Sequence, residues 1–151
     1  MKECIFIVEN ENITFRKGFK DLLEVKFGKD YIVSTKDSLQ DTLRGEPKLI
    51  ILTQEALKEV KAMDKIKTLY EYGTKFILIK ENDNGFPFEL NMFNGFLSKR
   101  MPTKEMTEAI ENVLLHGTIY VHPDIGAYIL SKYNRFVNVL KTKEEIRLWM
   151  M

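Results

Sequence analysis

Leu49, Ile50, Ile51 and Leu52 are four consecutive large apolar residues, set off by Pro47 and ended by Thr53. The run is too short for a helix and lacks the alternation of a half-solvated strand. It predicts a strand buried on both faces, the central strand of a parallel sheet covered by helices. In open α/β sheets, ligands and chemistry gather beyond the carboxyl ends of the strands. The residue at that point here is a neutral hydroxyl, Thr53.

The remaining sequence supplies neighbours for such a strand. Ile5 to Val8 predict a second buried strand, followed by the acidic turn Glu9-Asn10-Glu11-Asn12. Asn12 is placed to cap a helix whose apolar positions Phe15, Phe19, Leu22, Leu23 and Phe27 recur at helical spacing up to Gly28. A short strand is expected at Tyr31 to Val33, then a brief helix over Asp37 to Leu43 closed by Gly45 and Pro47. After the central strand, Ala56, Leu57, Val60, Met63, Ile66 and Leu69 predict one amphipathic helix ending near Gly73. Phe76 to Ile79 and Phe93 to Leu97 read as strands four and five, with an irregular stretch of turn signals from Glu81 to Asn91 between them. Pro102 and Thr103 open a helix carrying Met106, Ala109, Ile110, Val113 and Leu114, stopped by Gly117.

Strand and helix therefore alternate, and the fold class expected is α/β: a flavodoxin-like five-stranded parallel sheet of order 2-1-3-4-5 with helices on both faces. Residues 118–139 read as a linker containing a short extended piece at Thr118 to Val121 and an extra helix over Pro123 to Tyr133. In residues 140–151, Thr142 and Glu145 have capping-box spacing ahead of Ile146, Leu148, Trp149 and Met150.

Composition narrows the function classes without selecting one. At 151 residues the chain suits one core, and a net charge of +1 argues against a dominant nucleic-acid or membrane-surface field. The amino terminus enters an apolar strand directly, which argues against a signal peptide, and the apolar runs fall far short of the ~20 residues a spanning helix needs. A cytoplasmic location is expected. The single cysteine, Cys4, excludes an intrachain disulfide and reads as core. His116 and His122 lack a Cys or carboxylate at ligand spacing, so no metal site is expected of them. Phe86, Phe88, Met92 and Phe93 form either a satellite core or an exposed patch, with core favoured.

Several segments resemble the receiver domain of bacterial response regulators, in the branch with LuxR-type helix-turn-helix output. Ile5-Phe-Ile-Val-Glu-Asn-Glu-Asn12 with Phe15-Arg-Lys-Gly-Phe19 resembles the family's first strand, acidic pair and first helix. Pro47 to Thr53 resembles the third strand, and Asn94-Gly-Phe-Leu-Ser-Lys99 the fifth. Met106 to Val113 with His116 to Pro123 is the most specific match, to the last helix and linker of the LuxR-output branch. The resemblance spans residues 1 to about 133, giving a receiver over 1–117, and continues more weakly over 140–151 as the possible start of a truncated helix-turn-helix domain.

In that family an acidic pair and a strand-end aspartate hold Mg²⁺, and the aspartate accepts a phosphoryl group whose oxygens contact a Thr or Ser and a Lys. The resemblance places Glu9 and Asn10 at the acidic pair, Thr53 at the phosphoacceptor, Lys80 at the Thr or Ser position, Lys99 at the lysine and Phe96 at the switch aromatic. One carboxylate in place of three gives a hard divalent ion too little anionic oxygen, and an alcohol cannot form an acyl phosphate. The expectation is an atypical receiver that is not an enzyme, with no metal, no cofactor and no aspartyl phosphorylation. Lys80 or Lys99 is expected to pair with Glu9 as a fixed cation; anion binding by Lys80 with Lys99 and Arg100 is the lesser reading. Met106, Ile110, Val113 and Leu114 read first of all as core, and, because receivers usually dimerise through the outer surface of their last helices, also as candidate dimer-surface residues.

The function implied is a phosphorylation-independent receiver of a LuxR-type transcriptional regulator, acting in homodimerisation and control of a DNA-binding output domain absent from this chain. A regulatory protein partner is expected and membrane association is not. A conventional receiver with a shifted acceptor such as Glu55, or a stand-alone interaction module, are the alternatives. A flavodoxin-like nucleotide binder would need a glycine-rich cradle after the first strand, where Glu9-Asn10-Glu11-Asn12 has none.

Overall fold

The computed structural model describes residues 2–81, 91–123 and 125–127. Strands β1 (Glu3–Val8), β2 (Tyr31–Lys36), β3 (Leu49–Thr53), β4 (Lys75–Lys80), β5 (Gly95–Ser98) and β6 (Tyr120–Val121) form, among the described residues, one sheet of order β2-β1-β3-β4-β5-β6. Every neighbouring pair is parallel. The expected order is present, with one addition: the short extended piece near residue 120 joins the edge of β5 as a sixth strand.

All five residues of β3 are buried, as a strand covered on both faces must be. Alternation then divides the core in two. Ile5, Ile7, Leu49, Ile51, Ile77, Ile79 and Leu97 face helix α1 (Ile13–Phe27) and helix α3 (Thr103–His116). Phe6, Val8, Ile50, Leu52, Phe76, Leu78 and Phe96 face helix α2 (Ala62–Glu71), together with Leu39, Met92, Phe93 and Ile125. Met92 and Phe93 are thus core; Phe86 and Phe88 lie outside the described residues, as do most of the expected helix from Pro123 and the stretch from Thr142 to Met151.

Helix ends follow their chemistry. The Asn12 side chain accepts from the Phe15 amide at 2.9 Å, and α3 closes on Gly117 in the left-handed region at φ 65°. Two helices differ from expectation. The segment after β2 is only a 3-10 turn, Gln40–Thr42, that buries Leu39. The helix expected from Ala56 begins at Ala62, after a 3-10 turn over Gln54–Lys58 and a left-handed Lys61 at φ 57°. The cause lies in Glu59, whose carboxylate accepts the Leu39 and Gln40 amides at 2.9 and 3.2 Å and binds Lys65 at 2.6 Å. Holding those partners fixes the backbone at 59 to 61 and leaves Val60 exposed instead of on a helical face.

The core reading of the α3 stripe holds, and its reading as a dimer surface is corrected. Met106, Ile110, Val113 and Leu114 are 5, 0, 1 and 3% exposed, because they form the inward stripe of α3 against the sheet. The large apolar residue exposed on that helix is Leu115.

Candidate functional site

The carboxyl ends of β1, β3, β4 and β5 gather the residues that the sequence singled out. Glu9 follows β1 and is buried; its Oε1 accepts the amides of Glu11 at 2.9 Å and Asn12 at 3.4 Å. The carboxylate thereby folds the turn that leads into α1. Arg16, one turn into that helix, donates to the Glu9 carbonyl oxygen at 3.0 Å and to Asp37, tying the ends of β1 and β2 to α1. Asn10 is exposed.

Thr53 ends β3 with 2% of its surface exposed, and its Oγ1 has no hydrogen-bond partner among the described residues. The Gln54 Oε1 beside it in sequence is in the same position. Lys80 ends β4 and is 3% exposed. Phe96 is buried, its ring centroid 5.6 Å from that of Phe93.

Lys99 does not make the pairing with Glu9 that was one of the two expected. Its Nζ bonds the Glu81 carboxylate at 2.5 Å and stands 4.5 Å from the centroid of the Phe15 ring, so the Glu9–Lys99 bridge is not the one formed. Geometry explains the choice. Glu9 turns its Oε1 to the backbone of the α1 turn, whereas Glu81, just past β4, is level with Lys99, whose amide donates to the Lys80 carbonyl oxygen at 2.9 Å.

A cavity of about 530 Å³ opens here, lined by Glu9, Glu11, Asn12, Ile13, Thr14, Glu55 and Glu81. Its walls are more acidic than the carry-over of Glu9 alone implied. Glu55 bonds Lys58 at 2.7 Å, and the Lys58 pKa is raised first by that hydrogen bond and charge, then by the fields of Glu11 and Glu81. Glu11 and Glu81 were missed as site residues because their positions depend on the turn and the strand ends, not on a motif. The larger hollow, about 620 Å³, lies at the opposite, amino-terminal ends of the strands beside Lys2, Cys4, Lys48 and Tyr72. It is remote from the strand-end chemistry.

The divalent cation implied by the resemblance does not fit these residues. Glu9 already serves two amides, Glu55 and Glu81 are paired with Lys58 and Lys99, Asn10 is exposed, and Thr53 offers a neutral oxygen. Among the described residues no three His, Cys, Asp or Glu side chains converge as a ligand set. No acyl phosphate can form at position 53 without a carboxylate. Glu55, the alternative acceptor, is held by Lys58.

No family model and no curated protein sequence matches the chain. Solved structures do. A LuxR family DNA-binding response regulator from Silicibacter pomeroyi aligns with TM-score 0.62 at 22% identity, covering 81% of this chain and 98% of that one. The receiver domain of the TMAO respiratory system response regulator TorR aligns with TM-score 0.57 at 20% identity, covering 76% and 98%. The Francisella novicida lysine decarboxylase LdcF aligns equally well, TM-score 0.57 at 14% identity, but over only 17% of its own length. The same layout thus occurs as a regulator's receiver and as a piece of a much larger enzyme. Six parallel strands in this order, two helical layers and the strand-end cluster together give the chain the fold of a response-regulator receiver domain.

Proposed function

We propose that the chain is a receiver-type regulatory module that works without aspartyl phosphorylation, as part of a LuxR-type transcriptional regulator in the cytoplasm. The observation that carries this reading is Thr53: a buried hydroxyl with no partner among the described residues stands where the fold would present a phosphoacceptor. The Lys99 ammonium, which would meet a phosphoryl oxygen, is instead engaged by Glu81 and the Phe15 ring. The pair with Glu81 occupies the lysine that phosphoryl transfer would otherwise draw on to bias the switch. Regulation then comes from a protein partner or from abundance. The module's task is homodimerisation and the placement of a DNA-binding output domain, and it catalyses no reaction itself.

Incubation with acetyl phosphate and Mg²⁺, followed by intact-mass measurement and sizing, tests this. The expected mass is unchanged. A base-labile phosphoryl adduct accompanied by a change in oligomer size would overturn the reading, and its location on Glu55 would support a shifted acceptor instead.

A further inference from the structure

The two edges of the sheet differ. Strand β6 is two residues long, whereas β2, at the other edge, runs six residues in unbroken parallel register with β1, from Tyr31 beside Glu3 to Lys36 beside Val8. Its outer side is open to solvent. Ile32 is 48% exposed, and a hollow of about 390 Å³ passes it between Lys2, Glu24, Gly28, Tyr31 and Val33. Edge strands are kept from pairing with other chains by shortness, proline, bulges or charges. Shortness guards β6. Strand β2 has no proline, no bulge and one charge in six residues, Lys36 at its end. Val33 packs in the core layer of α1, and Lys36 sets its Nζ 4.8 Å from the centroid of the Phe6 ring in the layer of α2. Alternation therefore puts Ile32 and Lys36 on one face of the edge and Val33 on the other.

We infer that β2 docks a second copy of this chain, pairing antiparallel with its own counterpart so that Val33 faces Val33 of the partner subunit on the twofold axis. The charges around the strand carry this choice. Lys29-Asp30 precedes β2, and Lys36-Asp37 repeats the same order at its far end. A twofold axis normal to a sheet must set one residue opposite its own copy, which leaves few registers open. With Val33 on the axis, Asp30 meets Lys36 across the junction and Lys29 meets Asp37, each twice by symmetry. With Ile32 on the axis, Lys36 meets Gly28 and Asp30 meets Ser34; with Ser34 there, Lys36 meets Ile32 and Asp37 meets Tyr31. Neither neighbouring register matches a charge to its opposite. Opposite charges directly across a strand pair stabilise it, and like charges destabilise it. The groups are accessible for this: Lys29 and Asp30 are exposed, and Asp37, although it holds Arg16, keeps 73% of its side chain in solvent. Pairing also covers Ile32. The inference rests on the homodimerisation proposed above and gives it a surface, which the buried stripe of α3 does not supply.

Sedimentation of the full chain over a concentration series tests this with two charge reversals. Asp30→Lys brings ammonium groups together across the junction, and Lys36→Asp brings carboxylates together. Each variant alone is expected to dimerise at least about tenfold more weakly than the unmodified chain. A one-to-one mixture of the two is expected to recover the dimer, because every facing pair is again of opposite sign, and recovery also shows that both variants fold. Weakening without recovery overturns the register. A dimer that both variants form as well as the unmodified chain leaves homodimerisation standing and overturns this edge. A chain that is monomeric at every concentration overturns both. Amide hydrogen exchange on the unmodified chain decides the matter even where a variant fails to fold: β2 amides are expected to slow as the dimer forms while those of β6 do not, and β2 exchange that ignores dimerisation overturns the edge.

Discussion

A hydroxyl buried without a partner costs a protein about 1–3 kcal/mol of desolvation. Thr53 carries that cost at the end of β3. Thr53→Val removes the polar atom while keeping the branched shape, so stability is expected to rise by about 1 kcal/mol, read as an upward shift in the urea midpoint. A fall would show that the hydroxyl has a partner in solution. Lys99 gives a second test. Its pair with Glu81 is partly exposed, so truncating either member is expected to cost less than about 1 kcal/mol by urea unfolding. A double-mutant cycle of Lys99→Ala with Glu81→Ala should be non-additive, and one of Lys99→Ala with Glu9→Gln additive. That Thr53 and Lys80 end strands and that Asn10 and Lys99 lie just beyond strand ends was legible in the sequence, because strand ends are easy to locate. The partner of Lys99 was not, because Glu81 opens a stretch without periodicity and the choice between two carboxylates depends on side-chain direction.

At the scale of elements, Glu59 joins three segments that sequence reading treats separately: the turn after β2, the turn after β3 and helix α2. Hydrogen bonds to a charged group contribute about 1.5–3 kcal/mol each. With the bond to the Gln40 amide exposed and so weakened, Glu59→Ala is expected to lower the unfolding free energy by about 3 kcal/mol, well beyond the loss from Lys65→Ala, with both read in the same urea titration. Equal losses would mean that the ion pair, not the amides, is what matters. This contact also explains why the start of α2 was misplaced. Ala56, Leu57 and Val60 carry a helical period, but a carboxylate committed some twenty residues back in the chain overrides it. Strand β6 was visible only as an extended piece, because two residues hold too little pattern to reveal which edge they join.

The whole molecule is a sheet with a separate core on each face, and this much followed from unbroken apolar strands alternating with amphipathic helices. Its alkaline limit is set in part by tyrosines. The Tyr120 pKa is raised above 10.0, mainly by burial and then by Glu105, and that of Tyr31 is raised by burial and by Glu3 and Asp30. A raised pKa means that the folded form holds its proton more tightly than the unfolded form. The associated stability is therefore complete below pH 10.0 and is lost as pH climbs through the raised values. Thermal unfolding followed from pH 9 to about 11 should show a declining midpoint, and Tyr120→Phe should flatten that decline. An identical slope in the variant would remove Tyr120 as a contributor.

The position of Cys4 has a practical consequence. It is the chain's one thiol, partly exposed near the start of β1 beside the larger hollow, while the acidic mouth lies at the other end of the same strand. A single spectroscopic label can therefore be attached without mutagenesis, on the side of the molecule away from Thr53 and Lys99.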